Sequence, residues 1–222
     1  MTLARKLTAE GLGTALLLAT VVGSGIMGER LAGGNVAIAL LANTLATGAA
    51  LVALILTFGP VSAQFNPVVT LADALLGQLP WRNVPLYVLV QIVGAFAGVV
   101  LAHLMFGEPV IALSLHERSG GAQWLSEFVA TFGLLAVIIS LSRRRPDAIP
   151  FGVGAYITAA YWFTASTSFA NPAVTLARSV TNTFAGIRPV DVPGFMGAQV
   201  LGAVAAVFLV RWLVPARAPE VS

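Results

Sequence analysis

Two asparagines carry the clearest chemical potential in this chain, and the chemistry is hydrogen bonding rather than bond making. Asn66 heads Asn66-Pro67-Val68-Val69-Thr70-Leu71-Ala72, and 105 residues later Asn171 heads Asn171-Pro172-Ala173-Val174-Thr175-Leu176-Ala177, with six of seven positions identical. Asparagine is a preferred helix N-cap because its side-chain oxygen accepts from the orphan amides of the first turn. Proline suits the next position, where its missing N–H leaves nothing unpaired. Each segment therefore starts a helix and presents a side-chain amide at its tip. Two glutamates share the repeat: Glu10 and Glu127 stand 117 residues apart, each early in an apolar run. A third pair, Gln91-Ile92-Val93-Gly94-Ala95 and Gln199-Val200-Leu201-Gly202-Ala203, is 108 apart. Three markers recurring in one order make the chain two copies of one unit.

These groups sit in an extremely apolar sequence. Of the 222 residues 58% are hydrophobic and 9% charged, and the mean hydropathy is +0.90. This composition describes a membrane protein rather than a soluble domain. Six stretches approach the roughly 20 apolar residues a membrane-crossing helix needs: Leu7–Met27, Val36–Phe58, Val84–Phe106, Trp124–Leu141, Ile149–Phe169 and Val192–Val210. The first carries Glu10, lacks a small-residue cleavage site and precedes five more spans, so it is expected to be retained as a helix.

The helices begun at Asn66 and Asn171 are short, expected over Pro67–Leu76 and Pro172–Asn182. About ten residues cover ~15 Å, half of a hydrocarbon core. With three spans in each half (about residues 1–115 and 116–222), the second half must be inverted relative to the first, an arrangement that builds a pathway between halves. The expected fold is thus a single all-α membrane domain over 1–222, six transmembrane helices plus two half-helices meeting tip to tip. Irregular backbone at that depth survives only when buried or lining a wet cavity. The stretches Gly59–Phe65 and Ala165–Ala170 supply it, offering carbonyl acceptors beside the asparagine donors. Two helix N-termini aimed at one point make that point electropositive, hostile to cations and protons and open to neutral polar molecules.

Lys and Arg set the orientation. Eight of the twelve fall on the side of both termini, including the Arg143–Arg145 cluster and Arg217, which makes that side cytoplasmic and the protein a multi-pass component of the cell (inner or plasma) membrane. The sequence pI near 10.0 follows from that topology and from anionic lipid, with no call for nucleic acid. His103 and His116 lack metal-ligand companions and are expected at the surface, and the absence of cysteine excludes thiol chemistry. No Ser/His/Asp set, metal cluster or phosphate loop suggests an enzyme or a cofactor.

The paired Asn-Pro boxes, the two helix glutamates and the two Gln-x-x-Gly-Ala segments together resemble the aquaporin (major intrinsic protein) family over nearly the whole chain. The resemblance implies a pore in each protomer, usually of a homotetramer. It also implies that Glu10 and Glu127 accept hydrogen bonds from the half-helix loops, with Gln91 and Gln199 packed similarly. A buried membrane carboxylate otherwise suggests a proton relay. A coupled secondary transporter and a closed scaffold on the same fold are the competing readings.

Departures from the family pattern bear on cargo. Most members place arginine directly after the second Asn-Pro-Ala, in the outer filter; here that residue is Val174. Counting from the half-helices puts Thr47 (or Gly48), Ala159 and Ser168 beside it, small groups where strict water channels carry Phe and His. Val68 replaces the first Ala, which should make the midplane more apolar, and Ser62-Ala63-Gln64-Phe65 is one residue shorter than the family's usual run. Arg178 shares a helix face with Val174; it is expected to snorkel as a structural charge, the alternative being that it attracts or orients permeants, and its counterpart in the first half is Asp73. The widened filter resembles that of a bacterial subgroup associated with arsenic resistance. That suggests arsenite or methylated arsenic species, with water, glycerol and urea also compatible.

Overall fold

The computed structural model describes residues 1–214. Arg217, counted above among the cytoplasmic charges, lies outside the described residues. Among the described residues eight α-helices follow in order: α1 Leu3–Leu31, α2 Val36–Phe58, α3 Pro67–Leu75, α4 Val84–Phe106, α5 Gly121–Arg144, α6 Ile149–Phe163, α7 Pro172–Ala177 and α8 Val192–Leu213. Helices α3 and α7 are the two half-helices. Below, the side bearing Met1 and the end of α8 is the terminal face, and the side bearing the 107–120 connection is the opposite face.

The helix ends follow local chemistry. Thr2 caps α1, accepting from the Arg5 amide at 3.4 Å, and Asn35 caps α2 through the amides of Ala37 and Ile38 at 3.0 and 3.3 Å. Helix α4 ends on Gly107 in the left-handed region, φ 69°, where a missing Cβ removes the steric cost. Among the described residues five segments are long and apolar enough to cross a membrane. The fifth expected span was to run to Phe169, but α6 stops at Phe163 after 15 residues. Thr164 is extended, and Thr167, Ser168 and Ala170 all have positive φ. The chain has left the helix to build the loop entering α7. Helix α7 is also shorter than expected, ending at Ala177 and tightening into a 3-10 turn over Arg178–Val180.

Helices cross closely where the repeat places glycine. A Cβ on Gly94 of α4 would sit 2.3 Å from the Gly11 carbonyl of α1, and one on Gly202 of α8 would sit 2.4 Å from the Phe128 carbonyl of α5. Neither distance is tolerable, so α1–α4 and α5–α8, the two most extensive helix pairings, depend on these glycines. This close approach is what the Gln-x-x-Gly-Ala segments provide, in keeping with small residues at helix contacts in membranes. Glycine also joins α2 to α6: a Cβ on Gly48 would strike Thr158 Oγ1 at 2.0 Å, and one on Gly154 would lie 2.8 Å from the Gly48 carbonyl.

The 107–120 connection lies along the segment after α7. Ala112 and Ser114 amides donate to Val180 and Ser179 carbonyls, both at 3.0 Å. His103, expected at the surface, is only 1% exposed. Its ring bonds the Val110 carbonyl at 3.1 Å and Thr181 Oγ1 at 2.7 Å, tying α4 to both segments. His116 is exposed, as expected.

Candidate functional site: a cavity between the half-helices

The two half-helices meet through their asparagines. Asn66 Oδ1 caps α3 by accepting from the Val68 amide at 3.1 Å, and Asn171 Oδ1 caps α7 through Ala173 and Val174 at 3.0 and 3.3 Å. The other end of each side chain crosses the seam. Asn66 Nδ2 donates to the Ala170 carbonyl and Asn171 Nδ2 to the Phe65 carbonyl, both at 2.8 Å. The asparagines therefore lock the halves reciprocally, with one amide hydrogen of each side chain committed to protein.

Behind each half-helix a buried carboxylate organises the loop. Glu10 Oε1 accepts from Ser62 Oγ at 2.5 Å and the Gln64 amide at 2.8 Å; Oε2 accepts from the Phe65 amide at 2.7 Å and Gln91 Nε2 at 2.9 Å. Glu127 Oε1 accepts from the Phe169 amide at 2.8 Å; Oε2 accepts from the Ala170 amide at 2.9 Å and Gln199 Nε2 at 2.6 Å. The glutamines also donate to Thr70 Oγ1 and Thr175 Oγ1, at 3.0 and 2.8 Å, anchoring α3 to α4 and α7 to α8. Phe65 and Ala170 occupy the left-handed region at φ 51° and 48°. Such conformations are costly for residues with a Cβ and persist here because a carboxylate on one side and an asparagine on the other fix the peptide.

A narrow cavity of about 100 Å³ runs past the asparagine pair. Its walls are repeat-related stripes. Leu17 and Val21 on α1 match Leu134 and Ile138 on α5. Thr47, Leu51 and Ile55 on α2 match Val153, Ile157 and Tyr161 on α6, every fourth residue on one helix face. Three residues before each asparagine also line it: Ala63, Gln64 and Phe65, then Ser168, Phe169 and Ala170. Among the described residues, no donor reaches the carbonyls of Ala63, Gln64, Ser168 or Phe169. The result is a largely apolar tube with a discontinuous row of acceptors and two amide donors at its waist.

The structure places the expected filter residues unequally. Thr47, Ser168 and Val174 line the cavity, and Ser168 Oγ has no hydrogen-bond partner among the described residues. Gly48 packs against α6 instead, and Ala159 is exposed on the outer side of that helix. Tyr161 lines the cavity where Ala159 was expected, and its hydroxyl donates to Thr47 Oγ1 at 3.3 Å. Counting back from Asn171 missed it because α6 ends early; the Val153, Ile157, Tyr161 spacing would have revealed it. Val68 is also turned away from the cavity, 1% exposed in the core like Ala173, while Val69 and Val174 face the cavity. Pro67 and Pro172 are buried at the first positions of α3 and α7.

Arg178 does not snorkel. It is 2% exposed, lines the cavity, and donates from Nε to the Ala185 carbonyl. Its guanidinium carbon lies 3.4 Å from the centroid of the Phe169 ring, and that of Arg118 lies 4.9 Å from the same ring. Arg118, from the 107–120 connection, bonds the Gly186 and Ser166 carbonyls at 2.8 and 3.1 Å. Burial pulls its guanidinium below the ordinary arginine range, partly offset by the charge of Glu127.

The profile of the Major intrinsic protein family matches residues 1–149. The chain belongs to that family. The major intrinsic protein described here is 59% identical to "Aquaglyceroporin AqpS" of Rhizobium meliloti (strain 1021) over 217 residues, 97% of this chain and 93% of that protein. It is 32% identical to "Aquaporin NIP3-1" of Oryza sativa subsp. japonica over 165 residues, 71% of this chain and 52% of that protein. Its fold matches the X-ray structure of the aquaglyceroporin from Plasmodium falciparum with a TM-score of 0.76 at 18% identity, covering 96% of this chain and 98% of that one.

Proposed function

We propose that this protein is a passive channel for small uncharged polar solutes. The observation that carries the reading is the narrow cavity passing the Asn66–Asn171 pair, apolar along its helical walls and supplied with unpartnered carbonyls. A dehydrated solute exchanges hydrogen bonds along that row, while the apolar walls offer an ion nothing in place of its hydration shell. Glycerol fits this chemistry, and one relative, from Thermotoga maritima, is a "Probable glycerol uptake facilitator protein". A coupled transporter would use a titratable group in the pathway. Here Glu10 and Glu127 are engaged by loop amides and glutamines, and no carboxylate lines the central cavity among the described residues.

Thr47, Ser168 and Val174, joined by Tyr161, form the constriction in this reading. Valine at 174 leaves it without the forked cation of other family members, so solutes larger than water are admitted. Arsenite, an uncharged trihydroxide, and methylated arsenic species are the favoured cargo, on the strength of Val174 and the resemblance to the arsenic-resistance subgroup; glycerol, urea and water share the path. The channel sits in the cell membrane as a homotetramer with both termini cytoplasmic, its exposed apolar side chains (Leu45, Leu89, Phe208 and Trp212 among them) meeting lipid or neighbouring copies.

Osmotic swelling of proteoliposomes tests the reading. Glycerol uptake should exceed that of empty vesicles and need no ion gradient; dependence on a gradient overturns the channel. In the same vesicles, glycerol and water flux without arsenite or methylarsenate flux leaves a general aquaglyceroporin.

A further inference from the structure

Losing the arginine at position 174 ought to cost this protein its charge barrier, because valine has neither donors nor charge. The cavity nonetheless contains a guanidinium. Arg178 lies four residues after Val174, one turn toward the opposite face, and it lines the same cavity. It is 2% exposed, yet among the described residues its side chain makes a single hydrogen bond, from Nε to the Ala185 carbonyl. Among the described residues neither Nη nitrogen has an acceptor and no carboxylate pairs with it; the ion pairs found involve Arg30, Arg145 and Arg188. A buried, uncompensated cation is expensive unless something uses it.

Its setting is rigid. The Phe169 ring under Arg178 is itself held edge-on by Phe195, at a centroid separation of 5.2 Å and an angle of 76°. Arg118 adds a second charge beside that ring, and its own backbone amide is fixed by Asp191 Oδ2 at 2.8 Å. The ring quadrupole stabilises both cations without neutralising them, so the positive field is left to act on the lumen.

We infer that Arg178, braced on Phe169, supplies the cation barrier of this channel from one turn nearer the mouth than position 174. Size selection and charge selection are thereby separated: a neutral constriction at Val174 sets what fits, and the guanidinium beside it sets which charge enters. The free Nη donors favour neutral solutes rich in hydrogen-bond acceptors and singly charged oxygen acids over any cation. A monovalent cation held about 5 Å from an unpaired guanidinium at an effective dielectric of ~20 is disfavoured by roughly two orders of magnitude. This inference rests on the channel reading above.

Acetamide and acetamidinium test it, being nearly identical in shape but neutral and cationic. In proteoliposomes of the full chain, wild type should pass acetamide at least tenfold faster than acetamidinium. Arg178→Gln should cut that ratio by tenfold or more, through faster entry of acetamidinium, while Arg178→Lys should preserve it. Should the Gln variant fail to fold by thermal unfolding and gel filtration, Arg178→Met keeps the aliphatic stem over Phe169 and serves as the neutral variant. Moving the charge, Val174→Arg with Arg178→Gln, should restore rejection of acetamidinium. An unchanged ratio in a folded neutral variant overturns the inference. A wild type that passes acetamide no faster than empty vesicles overturns the channel reading itself, and that failure is visible before any variant is made.

Discussion

The two mouths of the cavity are built on equivalent positions with opposite chemistry. Two residues before Asn66 stands Gln64, and seven after it Asp73; the Gln64 side-chain amide donates to the Asp73 carboxylate. At the matching positions around Asn171 stand Phe169 and Arg178, and there the contact is a guanidinium over a ring. The same backbone therefore presents an acid held by an amide toward the terminal face and a cation held by an aromatic toward the opposite face. What the halves share is the frame: glutamate to loop amides, glutamine to threonine, asparagine across the seam. Where they differ is in the side chains hung on it. The frame encloses the cavity, and the differing pairs give its two ends opposite charge.

If the frame is common and the mouths are specialised, damage to the frame should be severe from either half. Glu10 takes four donors and Glu127 three. Removing either carboxylate strands buried amides on loops already in strained conformations, at about 1–3 kcal/mol for each group left unpaired. Glu10→Ala and Glu127→Ala should each lower stability by at least ~3 kcal/mol, with Glu10→Ala the worse, as read from thermal unfolding in detergent. Equal, small shifts would show that the loops hold themselves.

The asparagines come next in expected effect. Asn66→Ala removes a cap and one cross-seam bond, together about 2–3 kcal/mol, and Asn171→Ala removes their counterparts. Because the two bonds span one seam in opposite directions, the double variant should cost less than the sum of the singles. Strict additivity would mean that the halves are joined elsewhere.

Much of this frame was readable from the chain because it depends on residue identities repeated at fixed spacing. Asn-Pro specifies a capped helix start in any setting, and a glutamate inside an apolar run must find donors. The Gln-x-x-Gly-Ala segments could be seen to repeat, although not that Gly94 and Gly202 are the points where helix backbones touch. The mouths were harder to read. Ala159 follows from counting back from Asn171 along a helix taken to continue, but α6 ends at Phe163 and Tyr161 is the residue it presents to the cavity, while Gly48, the alternative to Thr47 on α2, packs against α6. Arg178 resembled a solvated charge at the end of a short helix. Its burial depends on Phe169, Ala185 and the folded 107–120 connection, contacts between segments that no local pattern encodes.

The valines of the two half-helices offer a direct comparison within the cavity. Val69 and Val174 occupy equivalent positions and both line it. Val174→Arg adds a bulky cation beside Tyr161 and Thr47, and should reduce glycerol flux at least tenfold while water flux stays within about threefold, measured by stopped-flow light scattering. Val69→Ala removes two methyl groups toward the terminal mouth and should raise glycerol flux no more than about twofold. If the two positions respond alike, the narrowest point lies at the waist and not beside Val174.

The smallest effect is expected at the acidic mouth. Asp73→Asn removes the charge but leaves an Oδ1 that still accepts from the Gln64 side-chain amide, while Gln64 Oε1 keeps its bond from Thr70 Oγ1, at 2.6 Å. The loop geometry is preserved, so neutral solutes should cross within about twofold of the wild-type rate. Asp73 borders the vestibule on the terminal side and does not line the central cavity, so its charge raises the local concentration of cations without carrying them past Arg178. In the acetamide and acetamidinium assay, Asp73→Asn should therefore leave the discrimination ratio unchanged where Arg178→Gln collapses it. A ratio that moves equally with both substitutions would mean that the two mouths act as one electrostatic unit, and the division of labour between them would fall.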